Sequence, residues 1–127
     1  MSKIKKQVKL LEAEGVFLGG PVEFFEVAGQ NLLSTLIHEG LELDSKVLDI
    51  GCGCLRCGYR LINYLDNGSY FGIEPNVKML SAGIKILLTE SEVANKEPSF
   101  DNNLDFDFEV FDTKFDFFVA RSIWTHA

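Results

Sequence analysis

The stretch VLDIGCGCLRCGYR, residues 47–60, decides how this chain is read. It carries all three cysteines, Cys52, Cys54 and Cys57, and sets them among Gly51, Gly53 and Gly58. A metal knuckle and a glycine loop that cradles a nucleotide are the two readings in competition. Cys-x-Cys-x2-Cys offers three thiolates in one turn, but a closed structural zinc site needs a fourth ligand, and His38 and His126 lie far off in the sequence. The spacing therefore disfavours a metal.

The surroundings favour the loop. KVLDI (46–50) is a short apolar run ending at glycine, the pattern of a strand buried on both faces, and Gly58, Leu61, Ile62 and Leu65 then recur at helical spacing. A strand, a glycine turn and a helix start are the setting of a cofactor site, because glycine permits a tight turn and close backbone approach while helix N-terminal amides face the ligand. The dinucleotide fingerprint Gly-x-Gly-x-x-Gly is not met, since its third glycine would fall at Arg56. The pattern gains weight from Asp49, two residues before Gly51, and from Glu74 at the end of the next apolar run, YFGIE (70–74). An acid at that distance suits ribose hydroxyls.

Outward from this centre, the pattern alternates. Phe25, Ala28, Leu32, Leu33, Leu36 and Ile37 predict an amphipathic helix over 22–39, stopped by Gly40, and a shorter helix is expected over 3–14. Val77, Leu80, Ile84, Leu87 and Leu88 predict another, with Asn76 as its N-cap. Residues 90–99 are polar and read as a connection; short strands are expected near 98–103 and over KFDFFVAR (114–121). Strands joined by crossover helices imply an α/β protein with a predominantly parallel sheet. The expected organisation is a single domain over 1–127, with 1–40 as an N-terminal helical segment.

Composition narrows the class. At 127 residues and 46% hydrophobic the chain can bury a core, and no run approaches the about 20 apolar residues that span a bilayer. The basic start MSKIKKQVK leads into no apolar leader, so a cytoplasmic protein with reduced thiols and no membrane partner is expected. A formal charge of −7 argues against nucleic acid as a partner. The excess is local: Glu90, Glu92, Glu97, Asp101, Asp105, Asp107, Glu109 and Asp112 stand against Lys96 alone. They suit a solvated connection, or an acidic rim that attracts a cationic ligand.

At these motifs the chain resembles the class I S-adenosylmethionine-dependent methyltransferases, Rossmann-like proteins whose first motif, LDIGCG, stands at 48–53. The resemblance covers 22–127 and implies a three-layer sandwich with strand order 3-2-1-4, the N-terminal half of that fold. It implies S-adenosylmethionine as cofactor, with its amino acid part on Asp49, Gly51, Cys52 and Gly53 and its ribose on Glu74. LDFDF (104–108) looks like the adenine-side segment, so that Asp105 would accept from the adenine amino group and Phe106 would lie against its ring. FDFFVARSIWTH (115–126) looks like the fourth strand and the loop facing the acceptor, with Arg121 toward the cofactor and His126 as candidate base. The family's third glycine falls at Leu55, and Cys57 replaces a further one.

The activity so implied is methyl transfer to a small-molecule acceptor by direct displacement, in a chain that stops just past the fourth strand. A non-catalytic S-adenosylmethionine-binding or oligomerising module and an NAD-type oxidoreductase fragment are the alternatives. With its fourth strand unpaired on one side, the chain is expected to form a homodimer or higher assembly through that strand.

Overall fold

The computed structural model describes residues 2–18 and 22–120. Four strands form one parallel sheet: β1 (Val47–Ile50), β2 (Tyr70–Ile73), β3 (Ser99–Asp101) and β4 (Phe117–Val119), in the order β3-β2-β1-β4. The order and the parallel sense are as expected. Val47 pairs with Tyr70 and with Phe117, and Ile73 with Asp101, so the C-terminal ends of the parallel strands lie along one side of the sheet.

Five helices connect and cover these strands: α1 (Lys3–Ala13), α2 (Phe25–His38), α3 (Gly58–Tyr64), α4 (Val77–Leu87) and α5 (Glu90–Lys96). The 22–39 helix begins as a 3-10 turn, Val22–Phe24, before α2 proper. Asn76 caps α4 as predicted, its Oδ1 accepting the Met79 amide at 3.1 Å. α5 corrects the reading of 90–99 as a connection. Its sequence is polar on nearly every side, yet Thr89 and Glu92 form a reciprocal capping box, and Val93 packs on the core.

Strand alternation sorts the apolar residues into two faces. Val47, Tyr70 and Val119 join Leu11, Phe25, Leu32, Leu61, Ile62, Leu80 and Leu87 in the main core beneath the helices. Leu48, Phe71 and Ile73 point the other way, and their cover is irregular: Phe106, Phe111 and Phe115, from the segment around a 3-10 turn at Phe108–Phe111. Phe71 meets Phe111 and Phe115 edge to face, each at 5.2 Å between ring centroids, the arrangement the ring quadrupole favours. That aromatic layer reaches β4, where Phe118 meets Phe108 and Phe115 edge to face at 5.7 and 5.8 Å yet remains 56% exposed. Among the described residues β4 pairs with β1 alone.

No helix among the described residues is long and apolar enough to cross a membrane.

Candidate functional site

β1 delivers its chain to the sheet edge and reverses it through a loop with three successive left-handed positions: Gly51 at φ 72°, Gly53 at 59° and Leu55 at 69°. Only glycine adopts this region without strain, so two of the three follow from sequence. The third does not. Leu55 takes a conformation that favours glycine and buries its side chain completely, which holds a strained backbone in place by packing. Cys57, by contrast, has an ordinary φ of −99° at the start of α3, so glycine is not required there.

Four glycines on surrounding elements let the loop be gripped closely. A Cβ on Gly83 of α4 would overlap the backbone of Cys54, and one on Gly29 of α2 would lie 2.8 Å from the Arg56 carbonyl oxygen. A Cβ on Gly72 of β2 would sit 3.0 Å from the Cys52 sulfur, and one on Gly58 would overlap the Tyr70 hydroxyl. Gly29 and Gly83 stand inside helices, where glycine costs about 1 kcal/mol relative to alanine, and this misfit was the available signal that something packs against them.

The loop amides are largely spoken for. Gly51 and Cys52 both donate to the Ile73 carbonyl, at 2.8 and 3.0 Å, which staples the turn to the end of β2. Gly53 donates to Glu74 Oε1 at 2.9 Å, and the other oxygen, Oε2, accepts the Asn76 amide at 3.0 Å. Glu74 therefore lies against the glycine loop and also ties it to the start of α4. The amides of Gly51 and Cys52 thus point into the protein.

Asp49 lies beneath. It is buried, and its Oδ2 accepts a 2.6 Å hydrogen bond from the Tyr70 hydroxyl. Burial raises its pKa to about 6, the Tyr70 hydrogen bond opposes this, and the Glu74 charge adds to it. Cys52 and Cys54 are also buried. Burial pushes the Cys52 thiol well up, helped by the Asp49 and Glu74 charges, and raises Cys54 to about 11. Neither thiol is poised to bind metal, and among the described residues no group of three His, Cys, Asp or Glu side chains is arranged to hold an ion.

Not every predicted residue joins this centre. Asp105 is exposed, and Phe106, at φ 53°, packs onto the sheet face away from the helices. Among the described residues no hydrogen bond links Asp105 to the loop or to Glu74. The acid beside Glu74 is instead Asp101, whose carbonyl accepts the Glu74 amide at 3.0 Å and whose carboxylate holds Asn103. Arg121 and His126 lie outside the described residues. Sequence reasoning did not single out Tyr70, the donor to Asp49.

No family model matches the chain, and no curated protein does. Two solved structures are similar to it. Both are magnesium protoporphyrin IX methyltransferase (ChlM) from Synechocystis PCC 6803. The one with bound SAH gives a TM-score of 0.60 at 17% identity, over 78% of this chain and 42% of that one. The one with bound SAM gives 0.57 at 16%, over 78% and 45%. The fold is that of the class I methyltransferases. Within that methyltransferase fold the chain spans less than half the length of these neighbours.

Proposed function

We propose that the chain binds S-adenosylmethionine at the loop of residues 51–57 and serves methyl transfer to a small-molecule acceptor. The observation that carries this reading is the contact of Glu74 with Gly53: a carboxylate able to accept from both ribose hydroxyls is held at 2.9 Å from the amide of the glycine turn. The local charge is also suitable. Asp49 and Glu74 are close enough to raise the Asp49 pKa, and a pair of neighbouring carboxylates favours a cationic ligand over an anionic one.

In this reading Gly51 and Gly53 allow the backbone to come close to the ligand, Cys52 backs the turn, and Glu74 accepts from the ribose. Asp105 and Phe106 are proposed for the adenine, Arg121 for the cofactor, and His126 for any proton the acceptor must lose. The bound sulfonium would supply an activated methyl group, so the protein's task is mainly alignment and exclusion of water.

The NAD-type alternative is weakened by the loop itself. A pyrophosphate needs open amides at the turn, whereas those of Gly51, Cys52 and Gly53 already donate to Ile73 and Glu74. Calorimetry with S-adenosylmethionine, S-adenosylhomocysteine and NAD tests the assignment: heat with the first two and none with NAD is expected, and the reverse would overturn it. Binding without turnover against any acceptor would favour the non-catalytic module.

A homodimer through β4 is proposed alongside. Residues 117–120, Phe-Phe-Val-Ala, lack the charges that usually protect an open edge, and Phe118 is the exposed residue there. Sedimentation at micromolar concentration should show a dimer that Phe118→Lys dissociates; a monomeric parent would sink the idea.

A further inference from the structure

Asp49 and Tyr70 are 21 positions apart, and the sheet register puts Tyr70 two pairs behind Asp49 on the neighbouring strand, on the same face. From there the phenol reaches forward under the loop. Its hydroxyl lies 2.6 Å from Asp49 Oδ2, within the short range of a hydrogen bond to an ionised carboxylate. The ring is 2% exposed and meets Phe100 edge-on at 6.0 Å between centroids. The hydroxyl fills the space above Gly58 where any other residue would carry a Cβ. It is thus fixed by β3, by α3 and by its own strand.

The groups that face this pair are acids. Glu74, at the end of β2, and Cys52, on the loop, interact electrostatically with Asp49, and Cys57 does so with Tyr70. Glu74 and Cys52, if charged, oppose ionisation of Asp49. The hydrogen bond from the Tyr70 hydroxyl favours it.

We propose that Tyr70 is a positioning residue for the loop site: its hydroxyl keeps the buried Asp49 carboxylate ionised and aimed, so that binding of a cationic cofactor depends on the protonation of that one group. This rests on the S-adenosylmethionine reading. Tyr70 itself touches no ligand in this role; it acts through Asp49. Because Asp49 is raised to about 6, its charge is lost within a mildly acidic range, and removing the donor extends that range toward neutrality.

The test is a pair of titrations on the full chain and on Tyr70→Phe. First, the carboxyl carbon of Asp49 is followed by 13C NMR, assigned with Asp49→Asn. The midpoint should lie near 6 in the parent and rise by about one unit in Tyr70→Phe, the size of a hydrogen bond to a charged group. Second, S-adenosylmethionine affinity is measured against pH. It should fall as the parent is acidified through about 6, fall at higher pH in Tyr70→Phe, and recover in that variant to within about twofold of the parent once Asp49 is ionised. A merely packing role for Tyr70 predicts uniformly weaker binding with an unmoved midpoint, which would overturn the proposal. If Tyr70→Phe fails to fold, the parent alone decides. Saturation with S-adenosylmethionine must then lower the Asp49 midpoint, and an unchanged midpoint rejects the proposal. Absence of S-adenosylmethionine binding at every pH overturns the cofactor reading instead, and the unliganded NMR titration still judges the link between Tyr70 and Asp49.

Discussion

Glu74 closes a bridge across the mouth of the sheet: one carboxylate oxygen accepts from Gly53 on the loop after β1, the other from Asn76 at the cap of α4. A single side chain thus sets the separation between the turn and the helix that backs it. In the proposed reading, ribose hydroxyls would meet an acceptor already oriented, with little side-chain entropy left to lose.

Glu74→Ala should weaken S-adenosylmethionine binding by about 1.5–3 kcal/mol, the range for hydrogen bonds to a charged group, or roughly ten- to a hundredfold in Kd. Glu74→Gln keeps one acceptor oxygen and should lose less. Calorimetry on both variants checks the order, and a Glu74→Ala protein that binds like the parent removes the ribose assignment.

Leu55 yields a prediction that inverts the usual rank of alanine and glycine. Truncating its fully buried side chain to alanine should cost about 2–5 kcal/mol. Alanine also retains the left-handed strain of about 1–2 kcal/mol that glycine escapes. Leu55→Gly should therefore be at least as stable as Leu55→Ala in urea titrations. A clearly less stable glycine variant would mean that residue 55 is not left-handed.

Asp49 makes stability depend on pH in a definite direction. Its folded pKa is raised from 3.8 to about 6, so the native state holds a proton that the unfolded chain releases between those values. Stability from this group is fully present below about pH 4 and is lost as pH rises through about 6, a cost of about 3 kcal/mol at neutrality. Melting temperatures of the parent minus those of Asp49→Asn should fall across that window. A flat difference would show that Asp49 titrates as an ordinary carboxyl.

The thiols should separate by burial. Cys52 and Cys54 are enclosed and their pKa values raised, whereas Cys57, at the start of α3, is only half-buried. Brief treatment with iodoacetamide followed by peptide mapping should find the label on Cys57, and chelators should leave the unfolding midpoint unchanged. Stoichiometric zinc lost together with the fold would restore the metal-knuckle reading.

What could be read in advance followed from burial. β1 and β2 announced themselves as apolar runs, α2, α3 and α4 by their period, and Glu74 by its distance from Gly51; all depend on residues near in sequence or on a single repeating pattern. α5 escaped because ESEVANK has almost no apolar period, although the Thr89 to Glu92 spacing marks a capping box. The bond from Tyr70 to Asp49 was out of reach, since it exists only once two strands are set in register. The loop's inward-facing amides were hidden for the same reason: their acceptor, Ile73, belongs to the neighbouring strand. Phe106 packs on the second face of the sheet, a placement that its motif did not foretell.

The contact between Gly83 and the Cys54 backbone leaves no slack between loop and helix. Two main chains in such proximity behave as one lever: a turn that shifts by more than a few tenths of an ångström carries α4 along, and with it α1, which is fastened to the far end of α4 by the bond from Gln7 to the Ile86 carbonyl. Occupancy of the turn should then register beyond it, as slowed amide exchange in α4 and in α1.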